Sequence, residues 1–186
     1  MRRQVLFVQG AGPRVHDEWD DKLVASLVRE LGPEYDVRYP RMPGEDDPDA
    51  AAWKAALRAE LEALEDGAVV VGHSVGGTIL VHAVADAPRA ATLGAVVLVS
   101  TPFVGEGGWP RDVGPSSEGI GARLPAGVPV HLFHGLADGE VPPSHAELYA
   151  RAIPQAELHR LPGRDHQLND DLREIAAVIG ALPAQG

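Results

Sequence analysis

The sequence predicts an α/β fold, a three-layer sandwich with a mostly parallel sheet of about six strands between helices. Three observations carry that prediction. Continuous apolar runs at 5–8, 68–71 and 95–100 suit strands buried on both faces of a sheet. The segments between them place apolar residues at helical spacing and stop at glycine or proline. Strand and helix signals alternate along the chain, which requires crossover connections and hence parallel pairing. A length of 186 residues suits one domain with a substantial core.

Each element follows from its residues. The run at 5–8 is halted by Gln9-Gly10-Ala11-Gly12-Pro13. Trp19, Leu23, Leu27 and Leu31 then recur at every fourth position, widened by Val24 and Val28, until Gly32-Pro33 ends the helix. A short strand at 35–39 precedes an acidic, proline-containing loop at 40–49. The next helix, 48–66, aligns Trp53, Leu57, Leu61 and Leu64 on one face. The strand at 68–71 runs into Gly72-His73-Ser74-Val75-Gly76-Gly77, and 78–87 is an apolar, core-facing helix ended by Pro88. Beyond the strand at 95–100, residues 101–127 are rich in Gly, Pro and Ser and lack periodicity; they read as a loop or short flap over the site, not a linker.

A strand at 128–134 ends in Gly135-Leu136-Ala137-Asp138 and leads to a helix at 144–153. A short strand at 157–161 and a closing helix marked by Leu168, Leu172, Ile175, Ile179 and Leu182 complete a single domain over 1–186. Ligands of parallel sheets sit beyond the carboxyl ends of the strands. Residues 10–12, Ser74, residues 101–103, Asp138 and His166 each follow a predicted strand and gather there.

Composition narrows the function. A net charge of -11 disfavours a nucleic-acid partner, because sequence-independent affinity for phosphates needs Lys and Arg. The absence of cysteine excludes disulfides and thiolate metal sites, and no metal or organic cofactor is implied. Behind Met1-Arg2-Arg3 the apolar run at 5–8 is too short for a signal-peptide core, and no stretch is long enough to span a bilayer. The expectation is a cytoplasmic protein with neither a membrane nor a nucleic acid as partner, acting on a small molecule.

The chemistry centres on Gly72-His73-Ser74-Val75-Gly76, a G-x-S-x-G sequence between a valine strand and a helix. A sharp turn there projects the serine oxygen above the sheet edge, and the flanking glycines remove Cβ atoms that would collide with neighbouring backbone. A bare serine hydroxyl is a weak nucleophile; a histidine must take its proton and an acid must orient that histidine. Of the histidines well downstream of Ser74, His131 and His159 fall in strands, His145 in a helix, and His134 before the candidate acid. His166 alone lies in a loop after the last strand, in Pro162-Gly163-Arg164-Asp165-His166. Asp138, after the penultimate strand, is the candidate acid; Glu140 is the nearest substitute and Asp112 a remoter one. A tetrahedral intermediate needs backbone N–H donors at its oxyanion. Val75 offers one, and the loop at 9–12 the other, with Ala11 chosen ahead of Gly10 and Gly12. Phe103 and Trp109, with Trp53, are candidates for an acyl pocket, equally well explained by core or loop packing.

With Gly-His-Ser-Val-Gly-Gly, Asp138 ahead of Val141-Pro142 and His166 in Gly-Arg-Asp-His assembled in that order, the chain resembles the α/β-hydrolase superfamily over 5–182. It is most similar to the small single-domain serine hydrolases related to retinoblastoma-binding protein 9. The resemblance implies a minimal α/β-hydrolase fold without a large lid. It also implies a cofactor-free hydrolase of esters, thioesters or amides with an acyl-serine intermediate at Ser74. Two departures stand out: Gln9-Gly10 where many relatives have His-Gly, and the lack of the first two strands of larger members. Two other functions stay open, a catalytically silent binding protein on the same fold and an acyltransferase or perhydrolase using the same residues.

Overall fold

The computed structural model describes residues 2–87 and 90–183. Pro88, the expected stop of the third helix, lies outside the described residues. The strands are β1 (Arg3–Val8), β2 (Tyr35–Arg38), β3 (Val69–His73), β4 (Ala95–Val99), β5 (Val130–Gly135) and β6 (Ala156–Leu161). The helices are α1 (Asp20–Leu31), α2 (Ala50–Glu62), α3 (Ser74–Asp86), α4 (Ser144–Ala152) and α5 (Arg173–Ala181). The strands form one open six-stranded sheet in the order β2-β1-β3-β4-β5-β6, every neighbouring pair parallel. The chain moves outward from β1 to β2 and then returns to place β3 on the other side of β1. That reversal opens a crevice at the carboxyl ends of β1 and β3.

Alternation along each strand divides the core into two layers. Leu6 and Val8, with Val70, Val96, Leu98 and Leu132, pack under α2, α3 and α4 through Trp53, Leu57, Leu80 and Tyr149. Val5 and Phe7, with Val71, Val97 and Phe133, pack under α1 and α5 through Leu23, Leu27, Ile175 and Ile179. Burial on both faces is the reason the inner strands β1, β3 and β4 carry unbroken apolar runs, which the edge strands β2 and β6 lack.

The structure corrects several boundaries. α1 begins at Asp20, after one π turn at Val15–Trp19, so Trp19 lies off the helix and is 51% exposed. Val28 sits about 100° around the helix from Leu27 and is 48% exposed, so it does not widen the buried stripe. α2 starts at Ala50, two residues later than expected, because the Asp49 carboxylate caps the Ala52 N–H at 2.7 Å. The closing helix starts at Arg173 and not at Leu168: Leu168, Asn169 and Asp170 have φ of 48°, 57° and 54° and form a left-handed turn. Residues 101–127 form an irregular loop with one 3-10 turn, pinned to the core by buried Phe103, Val104, Ser117, Ile120 and Leu124. No helix among the described residues is long and apolar enough to cross a membrane.

The turn from β3 into α3 is set by close backbone packing. A Cβ at Gly76 would overlap the carbonyl oxygen of Gln9, and one at Gly72 would sit 2.6 Å from the Gly77 Cα. Gly76→Ala is therefore expected to destabilise the fold by about 3 kcal/mol or more, a fall in Tm of roughly 6–12 °C. Gly180, inside α5, has open space where its Cβ would be. Gly180→Ala should raise stability by about 0.5–1 kcal/mol through helix propensity. Thermal unfolding followed by circular dichroism checks both; a Gly76→Ala protein as stable as the parent contradicts the packing argument.

Candidate active site

Ser74 opens α3 in the left-handed region, with φ of 51°. A non-glycine residue there is uncommon, and here the strain is held by the tight glycine packing on either side. The turn leaves the side chain at the floor of a cleft of about 560 Å³ at the crevice between β1 and β3. That volume is typical of a small-molecule site.

His166 reaches the same point from the loop after β6. Its Nε2 lies 3.1 Å from Ser74 Oγ, and its Nδ1 lies 2.9 Å from Asp138 Oδ2. Two features place the loop. Arg164 bonds the Leu168 carbonyl and pairs with Asp171 and Glu174 at the head of α5. The Ala137 N–H donates to the Arg164 carbonyl at 2.9 Å, tying the loop that carries the acid to the loop that carries the histidine.

Asp138 is buried, and its carboxylate is fully engaged. Oδ1 accepts the N–H groups of Glu140 and Val141, each at 2.9 Å. Oδ2 accepts from His166, and His134 Nε2, which bonds the Val141 carbonyl at 2.9 Å, also lies 3.1 Å from Oδ2. Burial alone would push this carboxyl up, but the hydrogen bonds from His134, His166 and Val141 hold it far below the usual carboxylate range. Glu140, the alternative acid, stands exposed at the cleft rim and supplies only its backbone N–H.

The loop after β1 contributes backbone. The Gly10 N–H is committed to Asp20 Oδ2 at 2.7 Å, and that of Gly12 to the Glu45 carbonyl at 2.7 Å. Of the three candidates in the loop, this leaves the Ala11 N–H for the cleft, opposite Val75 at the start of α3; both residues line it. The first N–H groups of a helix have no acceptor within the helix, so Val75 is suited to an anion. Gln9 turns its side chain away from the cleft. It bridges Glu45 at 2.6 Å and the Met42 N–H at 3.0 Å, fixing the loop at 40–49.

Of the aromatic candidates, Trp109 lines the cleft and Phe103 does not. Phe103 is 4% exposed, packed edge-on against Tyr149 in the core, with its N–H donated to His145 Nδ1 at 2.8 Å. Trp53 is also core, its Nε1 bonded to the Pro43 carbonyl. Trp19, expected in a buried stripe, instead forms cleft wall with Pro13, Val15, Val75 and Val141. Among the described residues, the charged ones at the rim are Glu140 and Asp165, and neither Lys nor Arg lines the cleft.

Sequence reading also missed Asp20 and His73. They pair at 3.0 Å beneath the cleft, 1% or less exposed at their side chains. No local pattern marks them as partners: His73 flanks the serine, Asp20 opens α1, and they stand 53 positions apart. Among the described residues, the one group with metal-ligand spacing is His131, Glu157 and His159, outside the cleft on β5 and β6. Its two rings are hydrogen-bonded to each other at 3.2 Å.

Because its folded-state pKa is depressed, Asp138 contributes stability that is present above the ordinary carboxyl value of about 3.9 and is lost only as pH falls through the lower folded value. Asp138 is thus expected to remain ionised in the folded protein where an ordinary carboxyl is half protonated. A carboxyl-carbon NMR titration checks this, and protonation at or above about 3.9 would contradict it.

Comparison with known proteins bears on the fold and the family. The Rhodothermus marinus esterase domain is 21% identical, with a TM-score of 0.68 over 96% of this chain and 85% of that one. The ydeN gene product of B. subtilis is 18% identical, with a TM-score of 0.71 over 96% and 97% of the two chains. The thioesterase domain from the curacin biosynthetic pathway is 14% identical, with a TM-score of 0.73 over 97% and 91%. At such identities these structures establish a shared α/β-hydrolase fold. No curated protein matches the chain. The serine hydrolase family model does match, over residues 5–171, and the chain belongs to the serine hydrolase family.

Proposed function

We propose that this protein hydrolyses small, uncharged carboxylic esters or thioesters through an acyl-serine intermediate. The observation that carries the proposal is the unbroken hydrogen-bonded series from Ser74 Oγ through His166 to Asp138, at 3.1 and 2.9 Å. His166 Nε2 takes the Ser74 proton as Oγ attacks the acyl carbonyl, and the Ala11 and Val75 N–H groups face the oxyanion that forms. Collapse breaks the bond to the alcohol or thiol, which leaves with the proton held by His166. A water then attacks the acyl-serine, again losing its proton to His166, and the carboxylic acid departs with Ser74 restored. Asp138 keeps Nδ1 protonated, so that Nε2 presents the lone pair.

The cleft supports the substrate class. Its walls are apolar, with Trp19 and Trp109 offering flat surfaces for an acyl or aryl group. Among the described residues its rim carries Glu140 and Asp165 and no lining cation, on a chain of net charge -11. That field repels polyanionic thioesters and acids and tolerates neutral esters.

A panel of p-nitrophenyl esters of graded chain length, beside a half-ester bearing a free carboxylate, tests the proposal. Neutral esters should be turned over and the anionic one disfavoured at low salt. Ser74→Ala should lose roughly 10³-fold or more in kcat, with its circular dichroism unchanged. A wild-type protein that neither hydrolyses any ester nor reacts with a fluorophosphonate probe would be a binding protein on a hydrolase fold.

A further inference from the structure

Each ring nitrogen of His73 faces an atom that only accepts hydrogen bonds. Nδ1 lies 3.0 Å from Asp20 Oδ2, and Nε2 lies 3.1 Å from the backbone carbonyl of His166. A neutral imidazole has one N–H and one lone pair, so it would set that lone pair against either the carboxylate or the carbonyl. Asp20 could avoid the first conflict by carrying the proton itself. Its Oδ2, however, already accepts the Gly10 N–H at 2.7 Å, which favours the ionised form. His73 is 1% exposed and Asp20 0%, so bulk water offers neither group another partner.

We propose that His73 is a buried imidazolium locked to the Asp20 carboxylate, and that this pair positions the His166 loop and the Gly10 loop around Ser74. The inference rests on the roles proposed above for Ser74 and His166. The pair joins four segments at one point: Asp20 opens α1, His73 ends β3, Gly10 follows β1 and His166 follows β6. His73 acts through the backbone of His166 and not on substrate; it is a positioning residue. Where loops carry reacting groups, a displacement of about 1 Å can cost roughly 100-fold in rate.

Electrostatics agree with this charge state. Burial disfavours both charges, but the charge and hydrogen bond of Asp20 raise His73, and those of His73, with the Gly10 N–H, hold Asp20 below its ordinary range. The other groups facing the pair are the His166 ring, 5.0 Å away between centroids, together with Asp138, the Tyr39 phenol and the Gln167 amide. His73, raised, stabilises the fold below its unfolded value of about 6.5 and loses that contribution as pH rises through its folded value. Asp20, lowered, stabilises above about 3.9 and loses its contribution as pH falls through its folded value. The pair is intact in between.

Nitrogen-15 histidine NMR of the wild-type protein at neutral pH reads the charge directly. Both His73 nitrogens should be protonated, and a neutral tautomer would overturn the proposal. Asp20→Asn should convert His73 to the neutral form and lower kcat about 10- to 100-fold with KM within about threefold. Loss of the His73 proton at high pH should release the loops and give wild-type kcat/KM an alkaline fall, and Asp20→Asn should move that fall to lower pH, a shift that simple loss of packing would not produce. His73→Gln should lose that alkaline limb altogether. An Asp20→Asn enzyme that is folded by circular dichroism and keeps the wild-type kcat and pH profile would overturn the positioning role. Wild-type protein that fails to label with a fluorophosphonate would instead overturn the hydrolase reading, while the NMR experiment still decides the charge on His73.

Discussion

The rest of the site depends on one close approach, that of Gly76 in α3 to the carbonyl of Gln9 at the end of β1. Backbone meets backbone there with no room for a side chain. α3 can begin directly beyond β3 only because of this contact, and Ser74 must then take up a left-handed conformation. The same contact fixes the height of the loop at 9–12 relative to the helix start. Ala11 and Val75 therefore both line the one cleft. The strain at Ser74 is a local cost offset by the packing of both core layers around β1, β3 and α3.

Two carboxylate–imidazole pairs flank the serine, one fully buried and one half-buried at the cleft, and their difference is instructive. Buried ion pairs stabilise little after desolvation, so their value lies in what they specify. His166 is held at Nδ1 by Asp138, and its Nε2 faces a hydroxyl, which both donates and accepts. A proton can pass across that contact and return. His73 is held at Nδ1 by Asp20, and its Nε2 faces a carbonyl, which only accepts. No proton can be exchanged there. The first arrangement suits a base that cycles, and the second suits a fixed charge that anchors chain segments.

Around this centre the walls come from segments that fold for other reasons. Trp19 belongs to the π turn before α1, and Trp109 to the loop anchored by Val104, Ser117 and Ile120. Both aromatic surfaces are thus presented by connecting segments outside the regular helices and strands. The acidic rim and the net charge of -11 act in the same direction on any approaching ligand.

The sequence by itself determined the layered fold, the strand order of residue types and the serial arrangement of Ser74, Asp138 and His166. Those features are written in local patterns: unbroken valine runs for strands buried on both faces, helical spacing between them, glycines at a turn without space for Cβ. Tertiary structure alone decided which groups are already engaged. Gly10 and Gly12 resemble Ala11 as loop donors until Asp20 and the Glu45 carbonyl claim their N–H groups. Phe103 and Trp109 are both aromatic residues in one irregular loop, yet one fills the core beneath Tyr149 and the other walls the cleft. Trp19 fits an apolar repeat, but the π turn carries it out of that repeat to the surface. His73 and Asp20 stand 53 positions apart, and nothing local marks them as partners. Periodicity reports which face of an element is buried; it carries no information on which distant atom will satisfy a donor, because that is fixed only when the sheet brings the ends of β1, β3, β5 and β6 together.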